Sequence, residues 1–137
     1  MLTARWLRGL AIGVAALGAV GCTDGPDVVP VDGTITRGGK PLASFAVTFQ
    51  PTEGRPSSAL SDENGRFELS YTLNQKGALR GKHKVFVQFT SLQAGYDEAT
   101  TKPPPEAREI HAKYGSVEVT PLEVEIDGPK TLDLKLD

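Results

Sequence analysis

From Val29 onward, apolar and polar residues alternate along the chain with a period of two. This alternation is typical of β-strands that bury one face. The first run covers residues 29 to 36 and leads into Arg37-Gly38-Gly39-Lys40, whose glycines supply the positive φ angles of a tight turn. The second run covers residues 45 to 50, and Pro51 ends it because proline cannot donate to a sheet ladder. These runs predict the first two strands.

A weaker third run at residues 58 to 61 leads into Asp62-Glu63-Asn64-Gly65. Asn-Gly beside apolar runs is a strong hairpin signal, since both residues tolerate positive φ. We therefore predict that the next strand pairs with the third run. The apolar face of that fourth strand is predicted to consist of Phe67, Leu69, Tyr71 and Leu73.

Three more runs complete the pattern, at residues 82 to 90, 122 to 126 and 132 to 136. His83 lies on the apolar face of the first of these, and Asp127-Gly128 supplies a turn between the last two. We found no convincing long stretch of helical periodicity. Seven short strands separated by turn signals predict an all-β fold, a seven-stranded β-sandwich of two sheets.

The connection from residue 91 to 116 is longer than is usual between strands. Pro105 suits the first position of a helix, and Glu109 and Lys113 stand four residues apart, as an ion pair on a helix would. These features predict a short helix from Pro105 to Lys113.

This connection has two interpretations. In the first, which we favour, it is a surface crossover between the sheets, attached to the sandwich by Ile110 and Tyr114. In the second it is a binding loop that offers the rings of Tyr96 and Tyr114.

The N-terminal segment carries Arg5 and Arg8, followed by an uncharged stretch that ends at Asp24. That stretch is shorter than the about 20 apolar residues that a membrane-spanning helix needs. A positive start, a short apolar centre and small residues before Cys22, the single cysteine of the chain, instead predict a secretory signal peptide.

Ala19-Val20-Gly21-Cys22 resembles the lipobox of bacterial lipoproteins, with Ala19 where leucine is the commonest residue. The resemblance implies cleavage between Gly21 and Cys22, a thioether link from the Cys22 sulfur to a diacylglycerol, and acylation of the freed amino group, for example by palmitate. Two or more acyl chains hold a protein stably on a membrane surface. The alternative, an ordinary cleaved signal peptide, leaves a free thiol in an oxidising compartment, which is disfavoured.

We therefore expect a signal peptide at residues 1 to 21, a tether at 22 to 29 and one domain at 30 to 137. Removing 21 of the 137 residues leaves 116, which suits a single domain. Without Arg5 and Arg8, 13 of the 15 basic residues remain against 17 acidic ones, a net charge of −4. Nucleic-acid binding usually requires a basic excess, so we expect no nucleic-acid partner.

Five segments of the chain carry a family resemblance: VDGTITRGGKPLASFAVTFQP, SDENGRFELSYT, GALRGKHKVFV, HAKYGSVEVTPLEVEI and TLDLKLD. They resemble the carboxypeptidase regulatory-like domain of bacterial lipoproteins over nearly all of residues 30 to 136. The resemblance implies a transthyretin-like (prealbumin-like) sandwich. It does not imply peptidase activity, because in that family the domain accompanies a separate catalytic domain, and a shared fold says little about function.

Catalytic chemistry has few candidate residues. A Ser-His-Asp triad could be written from Ser61, Asp62 and either His83 or His111, but no G-x-S-x-G motif surrounds the serine. Transthyretin-like hydrolases of hydroxyisourate end in Tyr-Arg-Gly-Ser, whereas this chain ends in Leu-Lys-Leu-Asp. We therefore expect neither an enzyme nor a cofactor.

Two short acidic segments contain side chains of the kind that bind metals. Asp62-Glu63-Asn64-Gly65 resembles the opening of a calcium loop, but a hairpin turn explains the same residues better. Glu106, Glu109 and His111 form a weak cluster that a solvated helical turn explains. We expect no metal.

Two classes of function remain. We favour a non-catalytic, membrane-anchored envelope lipoprotein, on the periplasmic or surface face, that binds another envelope protein by strand addition or loop docking. The alternative is a carbohydrate-binding module. Sugar rings usually stack on aromatic side chains, yet the only tryptophan, Trp6, lies in the signal peptide, which leaves Tyr96 and Tyr114 as loop aromatics.

Overall fold

The computed structural model describes residues 25 to 90 and 103 to 137. Gly21, Cys22, the signal segment and Tyr96 lie outside these ranges. Within them the chain is mostly β-structure with one short helix, arranged in more than one sheet, as the sequence predicted.

The strand segments of the described residues are β1 (Val28–Val29), β2 (Val31–Arg37), β3 (Lys40–Pro41), β4 (Phe45–Pro51), β5 (Ser57–Leu60), β6 (Arg66–Glu68), β7 (Ser70–Thr72), β8 (Gln75–Lys76), β9 (Ala78–Leu79), β10 (Gly81–Phe89), β11 (Glu123–Ile126) and β12 (Lys130–Leu136). The helix is α1 (Pro105–Tyr114). Every predicted strand has a counterpart, but the first and fourth are each divided in two. The two-residue strands β3, β8 and β9 were not predicted.

Two larger sheets form the body of the domain. The first has the order β11-β10-β4-β5-β7-β8, and all its neighbours are antiparallel. In the second, β12 lies parallel to β2 on one side, while β3 and β6 pair antiparallel with the other side of β2. Strands β1 and β9 form a small separate pair.

The apolar faces of the two sheets meet in one core. Its buried residues come from both sheets and from the helix, which makes the arrangement sandwich-like. The largest fully buried apolar side chains are Phe45, Phe49, Ile35, Leu69, Ile110 and Ile126. Since alternate residues of a strand face opposite sides, the period-two pattern of the sequence predicts which residues of each strand are buried.

The chain passes from one sheet to the other at Leu69. β6 pairs with β2, whereas β7 pairs with β5 in the other sheet. The Leu69 N–H donates to the Val31 oxygen, and the Leu69 oxygen accepts the Gly77 N–H. The predicted pairing of the third run with the fourth is therefore confirmed only for β7, and the expectation of one continuous fourth strand is wrong. Leu73, predicted on the apolar face, is fully exposed.

The turn that precedes this passage was predicted at the right place. The Gly65 N–H donates to the Asp62 oxygen over 2.9 Å, and Gly65 has a φ of 73°. Asp62 also holds the turn through its side chain, which accepts the N–H groups of Asn64 and Arg66, each over 2.9 Å. The turn joins strands of different sheets, and so does Asp127-Gly128, which connects β11 to β12.

Helix α1 confirms the predicted helix and its attachment. Ile110 is 1% exposed and Tyr114 3% exposed, so both residues pack into the core. The predicted pairing of Glu109 with Lys113 is replaced by longer-range pairs, since Glu109 binds Arg37 at the end of β2 and Lys113 binds Asp137.

The folded part of the chain begins slightly earlier than predicted. Val28 and Val29 pair with Leu79 and Ala78, and only 5% of Val29 is exposed. The last two residues of the predicted tether therefore belong to the domain.

Candidate functional site

A groove lies where strands of the two sheets come together around the β5–β6 connection. Its volume is about 890 Å³. Both sheets contribute to its walls, with lining residues that include Asp32, Thr34, Ala46, Ser58, Leu60, Asp62, Arg66, Phe67, Glu68, Lys76, Thr90 and Thr131. A cavity of this size can hold a small ligand or several residues of a peptide.

At Gly33 in β2, the wall of the groove packs closely against the neighbouring strand β12 and the Phe67 ring. A Cβ at this position would overlap the Leu132 oxygen of β12 and would lie 3.0 Å from the Phe67 ring. Only glycine fits between these two neighbours, which explains the inner glycine of the first predicted strand. The groove wall is therefore tightly packed backbone at this point.

Hydrogen bonds fix the polar side chains on the β2 and β12 side of the groove. The Thr131 hydroxyl donates to Asp32 Oδ1 over 3.0 Å, and the Thr34 hydroxyl donates to Asp133 Oδ1 over 3.3 Å. These pairs face each other directly in the parallel register of β2 and β12. Their oxygens keep further lone pairs that an incoming N–H group could use.

The opposite side of the groove combines one ion pair with aliphatic surface. Lys76 Nζ lies 3.3 Å from Glu68 Oε1, and both side chains are more than half exposed. Next to them, Leu60 is 39% exposed and Ala46 lines the same wall. The only aromatic lining residue in the described part of the chain is Phe67, of which 4% is exposed. The groove thus offers hydrogen bonds and aliphatic contacts rather than a flat ring.

The serine and the first histidine of the hypothetical triad lie far apart. The Ser61 N–H donates to the Phe45 oxygen at the first residue of β4, whereas His83 is paired with Pro51 at the last. A strand rises about 3.3 Å per residue, so six residues separate the two ends by about 20 Å. Ser61 is itself buried, and its Oγ accepts the Phe45 N–H over 3.0 Å.

His83 is a core residue that sequence analysis placed on the correct face. It is 2% exposed, and its Nε2 lies 2.7 Å from the Leu79 oxygen. Its ring packs against Phe49 with a centroid distance of 5.9 Å. Among the described residues, Nδ1 has no hydrogen-bond partner. The ring therefore contributes packing and one hydrogen bond.

The two acidic segments considered as metal sites have other roles. Asp62 organises its turn, and Glu109 is bound to Arg37. Within residues 25 to 90 and 103 to 137, no group of three or more His, Cys, Asp or Glu side chains could hold a metal ion.

Tyr114 requires a correction as a candidate binding residue. It lies in the last turn of α1 instead of a loop, and only 3% of it is exposed. Its hydroxyl accepts the Asp137 N–H over 3.2 Å, and Lys113 Nζ stands 5.3 Å from its ring centre. The ring attaches the helix to the sandwich, so it is not available to stack on a ligand.

Comparison with known proteins found no matching family model, no matching curated protein and no matching solved structure. In the part of the chain that the structure describes, no helix has the length and apolar character needed to cross a membrane.

The groove could not be predicted from the sequence. Its outer-facing residues are small or polar, as on any solvated strand face, so no local pattern distinguishes them. The glycine at position 33 was the one available signal, because glycine within a strand often marks a close approach of backbone.

Proposed function

We propose that this protein is a non-catalytic lipoprotein of the bacterial cell envelope, anchored through lipid at Cys22, whose groove binds another envelope protein. We also propose that its domain has the seven-stranded, transthyretin-like fold of the carboxypeptidase regulatory-like family. In the described residues, two apolar sheet faces meet in one core and the chain crosses between the sheets four times, which supports that fold. The groove carries the functional proposal.

The form of the groove favours an extended peptide segment. It is open to solvent along several strands and combines aliphatic side chains with hydrogen-bonding groups. Extended segments are held by main-chain hydrogen bonds and by small apolar contacts for alternate side chains. A sugar ring would gain most from an exposed aromatic face, and the lining residues present no such face.

A lipid on Cys22 would hold the domain close to the membrane. Val28 is already paired in β1, so only five residues, 23 to 27, lie between the cysteine and the domain. At 3.3 to 3.6 Å per residue, the six steps from Cys22 to Val28 span about 20 Å when extended. A partner of the groove would therefore be held close to the membrane surface.

The lipid anchor is tested by mass. Protein purified from membranes should have the intact mass of a chain that begins at a lipidated Cys22, and Cys22→Ser should release it to the soluble fraction. Thr23→Ser serves as the matched control and should stay in the membrane. An unmodified Cys22 thiol in the wild-type protein would contradict the proposal.

The partner is tested by crosslinking in intact cells. A photo-crosslinking amino acid at Ser58, in the groove, should capture one discrete envelope protein, whereas the same amino acid at the exposed Glu118 should not. Leu60→Arg should abolish the capture, and Val119→Arg, also at an exposed apolar residue, should leave it intact. Absence of any captured protein, together with glycan binding that is lost on Tyr96→Ala, would favour the carbohydrate-binding alternative.

A further inference from the structure

One end of the sandwich gathers the start of the fold and several loops. Val28 pairs with Leu79, immediately before β10 begins. β4 reaches the same end, because its last residue, Pro51, pairs with His83 near the start of β10. The loop from 52 to 56 therefore lies beside Leu79, and a Cβ at Gly54 would stand 2.7 Å from the Leu79 side chain. Asp27, five residues after Cys22 in the sequence, also lies at this end, since its oxygen accepts the Arg80 N–H.

The β7–β8 hairpin points toward the same end. Ser70 pairs with Ser58 near the start of β5, and β7 then runs antiparallel to β5, back toward the 52 to 56 loop. Thr72 pairs with Gln75, so Leu73 and Asn74 form the tip. Leu73 is fully exposed there, more than any other large hydrophobic residue in the described ranges.

Some of the charged side chains at this end have partners. Arg80 Nε lies 2.8 Å from Asp27 Oδ2, and its Nη1 donates to the Asp127 oxygen. Lys130 Nζ donates to the Glu125 oxygen over 2.9 Å. Arg55 in the 52 to 56 loop and Lys82 at the start of β10 are, in contrast, exposed at this end and form no ion pair among the described residues. The most distinctive feature of this end is the fully exposed Leu73.

We propose that the Leu73 tip rests in the surface of the membrane to which Cys22 is anchored, so that the domain has a second, apolar contact with lipid. The inference rests on the proposed lipidation. A tether that spans about 20 Å at full extension keeps this end near the headgroups, where an exposed leucine gains by leaving water. A weak apolar contact is sufficient because the anchor already supplies a high local concentration.

Site-specific labelling tests the contact. In the lipidated protein the Cys22 sulfur is blocked, so Leu73→Cys provides a single thiol for an environment-sensitive dye, and Val119→Cys provides a matched control at a second exposed apolar residue. Both proteins are reconstituted into phosphatidylcholine vesicles. We expect a blue-shifted dye, quenched by brominated acyl chains, at position 73 and a water-like dye at position 119. Amide exchange of residues 72 to 75 in the wild-type protein should slow on the same vesicles.

A second measurement gives the strength of the contact without a dye. In the lipidated protein, Leu73→Ser should raise the dissociation rate from vesicles roughly tenfold, as loss of one leucine contact predicts. If the dye at position 73 stays water-like while the intact mass shows lipid on Cys22, the membrane contact is refuted and the anchor stands. If the mass shows no lipid, both proposals fail.

Discussion

Gly77 lies so close to Val29 that a Cβ on Gly77 would overlap the Val29 carbonyl oxygen. Gly77 has a φ of 113°, and its N–H donates to the Leu69 oxygen. Gly77 therefore contacts Val29 of the β1–β9 pair and also binds Leu69, where the chain passes from one sheet to the other. No residue with a side chain fits this position.

Gly77→Ala should destabilise the protein by about 3 kcal/mol or more, because strain at positive φ adds to a steric overlap with backbone. Gly38→Ala is the matched control, with a φ of 58° and open space around the position. It should cost only about 1 kcal/mol. Urea unfolding of both variants measures the two costs, and equal values would contradict the packing at Gly77.

Ser61→Ala should lower the free energy of unfolding by about 1 to 3 kcal/mol, because the buried Phe45 N–H loses the acceptor that Ser61 Oγ provides. Ser58→Ala, at an exposed residue of the preceding strand β5, should change it by less than about 0.5 kcal/mol. Thermal unfolding by circular dichroism provides the comparison. A neutral Ser61→Ala would show that Ser61 has no structural role.

Tyr114→Phe should cost about 0.5 to 1.5 kcal/mol, since it removes the acceptor of the Asp137 N–H and keeps the packed ring. Ile110→Ala, one turn earlier on the buried face of α1, should cost about 2 to 5 kcal/mol through the cavity that it leaves. Chemical unfolding distinguishes them. Neither substitution should change partner capture at the groove beyond its effect on folding, in contrast to a binding-loop role for Tyr114.

The pair of Lys113 and Asp137 predicts a small dependence of stability on pH. The hydrogen bond from Lys113, reinforced by its charge, holds the pKa of Asp137 below its ordinary value of 3.8. The folded state therefore favours the carboxylate, so the contribution is present above pH 3.8 and is lost as the pH falls through the lower folded pKa.

The same hydrogen bond, followed by one involving Tyr114, raises the pKa of Lys113 above 10.5. The contribution of Lys113 is therefore complete below pH 10.5 and is lost as the pH rises through the folded pKa. Both side chains are exposed, so the effect on the melting temperature should be small. Asp137→Asn should lower the melting temperature near neutral pH and make no difference at the acid end. A constant difference at all pH values would exclude this pair as its cause.

Alternation predicted burial well and pairing less well. Val47, Val85 and Val87 all lie on the face that the period-two pattern assigned to the core, because burial depends on which side of the strand a residue occupies. No change in the period-two pattern marks Leu69, where the chain passes from one sheet to the other. The apolar alternation continues through Tyr71 and Leu73, yet the backbone has already turned to pair with another strand.

Most of the candidate site could not be predicted from the sequence, for a related reason. The groove is built from residues far apart in the chain, such as Asp32 and Thr131, which meet only after β2 and β12 have paired. Their residue types are ordinary for exposed strands. The helix, in contrast, was predictable because proline at its start and its buried residues act within a few turns.

The parallel pairing of β2 with β12 also bears on the order of folding. The hydrogen bond between Thr131 and Asp32 spans 99 positions of the chain. Contacts between distant segments are formed slowly, since the intervening chain must lose entropy first. In a chain exported from its N-terminus, β2 would reach the far side of the membrane long before β12. Until then β2 has one unpaired edge, so a chaperone that covers this edge would protect the nascent protein from aggregation.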